Sequence, residues 1–198
     1  MTFDGPPEPY APLEPVATCD PTPKPGVEAF RDWTLANWGG RSGGIARDCS
    51  IGAPSKHHEG RAWDWFPPSS GDADQLIGQL LEDELQQPEA LARRAGLRTI
   101  IWDHEIWIAG QGWKPYTRSP HADHVHFGFG WDGAMGRTSF YNQQEGGGAV
   151  RVVPFCPGLQ PGRPGDLVDD PRDLSEHRAD APSEPGHMDD IYAAIDEE

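Results

Sequence analysis

Positive charge is scarce in this chain. Across 198 residues, 16 Lys and Arg stand against 32 Asp and Glu, giving a formal net charge of −16 and a pI near 4.7. Such a surface lacks the Lys/Arg density that nucleic acid and anionic lipid require, so neither is an expected partner. Long apolar runs are missing too: no stretch approaches the roughly 18 consecutive apolar residues of a membrane span. Cysteine is limited to Cys19, Cys49 and Cys156, an odd number too small for a disulfide framework. A Cys19–Cys49 bridge is expected only if the protein leaves the cytosol. The segment Met1 to Tyr10 holds Asp4, Glu8 and three prolines, with neither a basic n-region nor an apolar h-region. As it stands, that stretch gives no expectation of a cleavable signal peptide.

Proline and acidic charge are abundant, and they divide the chain. Residues 1–25 contain eight of the 21 prolines, which remove backbone donors and predict an extended lead-in rather than helix or central strand. From Pro157 to Glu198, twelve acidic residues face three arginines, and little apolar surface is available to offset their repulsion. Residues 156–198 are therefore expected to form a disordered acidic tail, and His177 and His187 within it are expected to be solvated. All eight tryptophans lie between Trp33 and Trp131, which places the expected domain at residues 26–155.

Within that window, Val27 to Trp38 predicts a short helix with Phe30, Trp33 and Leu35 near one face. Residues 39–56, rich in Gly and Ser, predict a loop. From Asp72 onward, Leu76, Ile77, Leu80, Leu81 and Leu85 recur near a 3.6-residue period. This predicts a long helix capped by Asp72 or Asp74, broken at Pro88, and followed by a short helix that Gly96 ends. Leu97–Trp102 and Glu105–Ile108 predict a hairpin around Asp103-His104, and His124–Phe129 predicts a further strand. The fold class is α+β: a small antiparallel sheet flanked by helices.

Six of the eight histidines lie between His57 and His126. One cluster reads Ser55-Lys-His57-His58-Glu59-Gly60-Arg61-Ala62-Trp63-Asp64, the other His121-Ala-Asp123-His124-Val-His126. Side chains alternate faces along a strand. His124 and His126 therefore project together while Val125 and Phe127 face the core, and Asp64 opposes Trp63 and Trp65. Gly60 permits a turn that brings His57 back toward Asp64. Two imidazoles and a carboxylate with an open fourth position make up a catalytic rather than a structural zinc site. Taken singly, each cluster reads better as solvated surface histidines than as a metal site, with Asp64 paired to Arg61 or Arg47. His58, next to a ligand but facing away in an extended chain, reads as a bystander. Trp63, Trp65, Trp102, Trp107 and Trp113 read as core and cleft wall. Ser55 has no base attached and shapes the turn rather than attacking a substrate.

Taken together, Ser55-x-His57-x-x-Gly60-x-Ala62-x-Asp64 and His124-x-His126 resemble the zinc peptidases grouped with lysostaphin, the D-Ala-D-Ala metallopeptidases and the murein endopeptidases. The segments 92–102, 105–107, 112–116 and 121–127 resemble a branch found in actinobacteria and their phages. The resemblance implies a Hedgehog/DD-peptidase-like fold and one zinc ion held by His57, Asp64 and His126. It implies His124 as general base or transition-state stabiliser and His121 as a further active-site histidine. Asp123 stands where other members carry a glutamate, three residues before the last ligand, and is the competing candidate for the base. Arg47 and Arg41 are the candidates for an arginine near the substrate. Ser55 and Glu59 are candidates for supporting the ligands, with Glu59 or a backbone carbonyl as acceptor for a ligand imidazole. The implied activity is hydrolysis of peptide bonds in peptidoglycan stems or cross-links by a monomer acting outside the cytoplasm, through phage release or nonclassical export. Alternatives on the same fold are a catalytically inactive zinc-binding module and a virion structural component.

Overall fold

Among the described residues, six short strands pair throughout in antiparallel fashion, in the order β1-β2-β6-β3-β4-β5. The computed structural model describes residues 3–142 except 53 and 84–86. The strands are β1 (Arg41–Gly44), β2 (Ala62–Phe66), β3 (Leu97–Trp102), β4 (Glu105–Ile108), β5 (Gly112–Pro115) and β6 (Val125–Phe129). Helices α1 (Pro25–Trp38), α2 (Ser70–Leu81), α3 (Ala90–Ala95) and α4 (Trp131–Ala134) complete the α+β architecture. No described helix is long and apolar enough to cross a membrane.

Alternation sets the two faces of the sheet. In the central pair, Trp63 lies opposite Phe127 and Asp64 opposite His126. Trp63, Trp65, Val125 and Phe127 are fully buried on the face packed against the helices. There the Phe30 ring of α1 meets Trp63, Phe127 and Phe129 edge-on, and Trp63 stacks on Phe127 at 5.8 Å. The opposite face carries Asp64 and His126, with a smaller cluster of Ile101, Ile106, Ile108 and Tyr116 beside them. Two-residue periodicity has thus divided the sheet into a core face and a polar face.

Several boundaries differ from the sequence expectation for identifiable reasons. Helix α2 is capped by Ser69, whose hydroxyl accepts from Asp72 N, while Asp72 occupies the reciprocal position of a capping box. The helix stops at Leu81 instead of running to Pro88, and Glu82, its C-cap, turns to the extended conformation at φ −65° and ψ 142°; Leu85 lies outside the described residues. The Gly/Ser-rich stretch expected to be loop contains edge strand β1, pinned by the bond from Trp63 Nε1 to Ser42 Oγ at 2.9 Å. Strand β5 was not expected either, and it ends on Pro115, a residue that only an edge strand accommodates. The hairpin turn falls on Asp103 and His104, both with positive φ, as a two-residue turn matching the strand twist requires.

Residues 3–24 are extended, and they lie on the domain rather than apart from it. Prolines remove donors but leave every carbonyl as an acceptor, and arginines of the domain occupy those carbonyls. Arg94 donates to Gly5 O, Arg93 to Glu8 O, Arg98 to Ala11 O and Arg61 to Glu14 O. The side chains of the strap return the interaction: Glu8 accepts from Ser139 and Glu14 from Trp131 N. Farther along, Asp20 N donates to His58 O, Lys24 N donates to Gly60 O, and Cys19 is disulfide-bonded to Cys49. The expected acidic tail, with Cys156, His177 and His187, lies outside the described residues.

Candidate metal centre

Three local devices bring the donor atoms together. A 3-10 turn over Lys56–Glu59 carries His57; Ser55 caps it, its hydroxyl accepting from His57 N. Gly60 ends the turn in the left-handed conformation at φ 61°, which reverses the chain into β2 and swings His57 over Asp64. Any side chain at residue 60 would place its Cβ 2.0 Å from Thr22 O, so glycine is required there for space as well as for torsion. Finally, the β2–β6 register sets Asp64 directly across from His126.

The resulting cluster is tight and mostly buried. His57 Nε2 lies 3.2 Å from His126 Nδ1 and 3.3 Å from Asp64 Oδ1, and His126 Nδ1 lies 2.9 Å from the same Asp64 oxygen. His57 and His126 are each 3% exposed. His57 Nδ1 faces Ile45 O at 2.9 Å. A carbonyl only accepts, so that nitrogen carries a proton, and Nε2 is left facing Asp64 and His126. The supporting acceptor for a ligand imidazole is therefore a backbone carbonyl. Glu59, the other candidate, faces elsewhere: it pairs with Arg61 and accepts from Ala17 N and Thr18 N of the strap.

Three donor atoms 2.9–3.3 Å apart match what a small cation demands. Tetrahedral zinc, with bonds of about 2.0–2.1 Å, separates its ligand atoms by about 3.3–3.4 Å. His57, Asp64 and His126 are grouped closely enough to hold one metal ion. His126 Nε2 is buried with no hydrogen-bond partner among the described residues. The charges agree with this reading. Burial alone would raise the Asp64 carboxyl, but the His57 imidazole and hydrogen bonds from His126 and His57 outweigh it and hold Asp64 well below the usual carboxylate range. Burial pushes His126 down to about 3 against the opposing hydrogen bond to Asp64, so its imidazole stays neutral. A neutral His126 imidazole beside an ionised Asp64 carboxylate matches the ligand states a divalent metal needs.

The second histidine cluster borders the first. His121 and His124 have ring centroids 4.7 Å apart, and His121 lies 5.9 Å from the His126 ring. The strand begins at Val125, so His124 sits just ahead of it, against Phe66 at 5.2 Å. His124 Nδ1 is held at 2.7 Å by Asp123, whose side chain is 77% exposed. Asp123 thus reaches the site through His124 rather than beside the donor atoms. His121 adopts φ 46° and faces Ser119 O through Nδ1. Arg41 lies with its guanidinium 4.5 Å over the Phe66 ring, and Arg47 is joined to the site by its backbone, donating to His57 O.

Two groups near the site had no assigned role from sequence. Tyr116 packs its ring 5.7 Å from His121, and burial pushes its phenol up to about 12, so it remains a hydrogen-bond donor at neutral pH. Its place in the Gly112–Tyr116 stretch was the only signal available. Lys56 is fully buried over Gly128, and burial, with Arg61 and Arg98 adding to the effect, holds its ammonium well below the usual lysine range. Nothing in its sequence surroundings indicates burial.

A protein of mixed α+β fold with a buried two-histidine, one-carboxylate cluster is the class this geometry defines. The chain belongs to the family described as VldE, C-terminal domain, whose model matches residues 19–127. That match begins at Cys19 and takes in His57, Asp64, His121, His124 and His126. No curated protein and no solved structure matches the chain.

Proposed function

We propose that the chain is a zinc-dependent metallopeptidase that hydrolyses peptide bonds of bacterial peptidoglycan stems or cross-links. The observation that carries the metal reading is the convergence of His57 Nε2, Asp64 Oδ1 and His126 Nδ1 within 3.3 Å of one another. The substrate class and a Hedgehog/DD-peptidase-like fold rest on the resemblance of the two histidine motifs to lysostaphin-type and D-Ala-D-Ala metallopeptidases. Bound there, zinc supplies Lewis acidity toward a water molecule and the scissile carbonyl. The residues around it divide the remaining work. His57 keeps Nε2 directed inward through its bond to Ile45 O. Asp123 holds His124 Nδ1, which leaves Nε2 of His124 to take the proton of the attacking water and pass it to the leaving amine. His121, packed against both His124 and His126, steadies charge developing on the substrate oxygen.

His57→Ala and Asp64→Asn should each abolish near-stoichiometric zinc, read by elemental mass spectrometry, and hydrolysis of purified muropeptides. The tryptophan-rich core should stay folded by near-UV circular dichroism. His124→Ala should keep the zinc and lose about 10²–10⁴-fold in turnover. Full activity in either ligand variant would contradict the mechanism. The outward placement of Asp123, where related enzymes carry a glutamate, favours a second reading in which the site binds metal without turnover. Stoichiometric zinc with no product from any muropeptide would establish that one.

A further inference from the structure

The loop between β1 and the 3-10 turn supports His57 at both of its ends. At its start, Ile45 O accepts from His57 Nδ1, and Arg47 N donates to His57 O. At its far end, Ser55 Oγ accepts from His57 N. The middle of this loop contains Cys49, and the disulfide to Cys19 fixes it to the strap, with Cα atoms 5.9 Å apart. Immediately beyond Cys19, Asp20 N donates to His58 O. On the other side of the bridge, Ala17 N and Thr18 N donate to Glu59. His58 Nε2 faces Ile51 O at 2.9 Å, tying the loop to the turn a fourth time. The bridge therefore fastens together two segments that both hold the turn carrying His57, without touching the donor atoms.

We infer that the Cys19–Cys49 disulfide is a positioning element for the metal ligand His57, so that metal affinity rises when the bridge forms and falls when it is reduced. This rests on the metal reading given above. Reduction by two thiol equivalents breaks the Cys19–Cys49 S–S bond with two electrons and two protons, yielding two protein thiols and the disulfide of the reductant. The middle of the loop then loses its covalent tie to the strap, and Ile45 O and Ser55 Oγ are held at His57 by their hydrogen bonds and by the burial of Ile45 in the core. An outer partner that orients a ligand imidazole typically changes metal affinity by 10–100-fold when lost. A chain made in a reducing compartment would then carry a weakened site until it meets an oxidising one.

The test compares the full oxidised chain with a Cys19→Ala/Cys49→Ala variant, which removes the bridge without adding thiols that could themselves bind metal. Cobalt(II) titration followed by its visible d–d absorption reads affinity and coordination. In the metal-free proteins, the proton-coupled ¹⁵N resonance of His57 Nδ1 reads the bond to Ile45. Both are measured at a temperature where circular dichroism shows each protein fully folded. The expected result is at least tenfold weaker cobalt binding and a broadened or lost His57 Nδ1–H signal in the variant. Affinities within twofold of each other, with the signal retained, would overturn the inference while leaving the metal site standing. Oxidised wild type that takes up no cobalt would overturn the metal reading and this inference with it. If the double variant does not fold, the bridge of the folded full chain is instead reduced and both thiols are capped with iodoacetamide; affinity within twofold of the oxidised chain would equally overturn the inference.

Discussion

The ionisable residues at the centre of the site dictate how the protein responds to acid. His126 is held neutral, its pKa lowered from 6.5 to about 3, chiefly by burial. In the unfolded chain it titrates near 6.5, so the unfolded state binds a proton that the folded state refuses. The stability this supplies is fully present above pH 6.5 and is lost progressively as pH falls toward 3. Asp64, also depressed, extends the loss to still lower pH by the same sign. Metal-free protein should therefore show a denaturation midpoint that drops steadily below pH 6.5, followed by urea titration of tryptophan fluorescence. Replacing His126 with Gln should flatten that dependence. A midpoint constant from pH 7 to 4 would contradict the burial of a neutral imidazole.

At the scale of elements, the turn at Gly60 is the most sensitive joint. Gly60→Ala demands a left-handed alanine, which costs about 1–2 kcal/mol, and a Cβ 2.0 Å from Thr22 O adds a steric penalty. The variant should lose at least about 2 kcal/mol and bind metal more weakly, because His57 moves with the turn; calorimetry and a metal titration check both. This joint was legible in the sequence. Gly60 between a His-rich stretch and an alternating Ala62–Phe66 strand announces a reversal, and alternation alone assigns Asp64 and His126 to one face. What holds the turn was not legible. Glu59 pairs with the nearby Arg61 and also with the amides of Ala17 and Thr18, which lie more than forty residues away and which no local pattern signals. Strands β1 and β5 escaped for a related reason: their residues are poor strand formers, and the neighbouring strand supplies the pairing.

For the whole molecule, the strap is the least expected feature. Proline content correctly indicates extended chain, but composition says nothing about where extended chain lies. Its place is set by the buried arginines, each of which needs acceptors that a donor-poor segment offers freely. Removing residues 1–16 should cost several kcal/mol, since acceptors of buried Arg61, Arg94 and Arg98 go with them. Thermal unfolding of the shortened chain should fall by more than ten degrees; an unchanged midpoint would mean that the arginines re-satisfy themselves. The strand order carries a different consequence, one of timing. The last strand among the described residues, β6, lies in the middle of the sheet, between β2 and β3. During synthesis the chain therefore holds two separate pieces, β1–β2 and β3–β4–β5, each with an unpaired edge waiting for the same partner. Asp64 leaves the ribosome well before His126, so a metal ion cannot be captured until that final strand inserts and joins the halves. Assembly of the sheet and completion of the site are a single event.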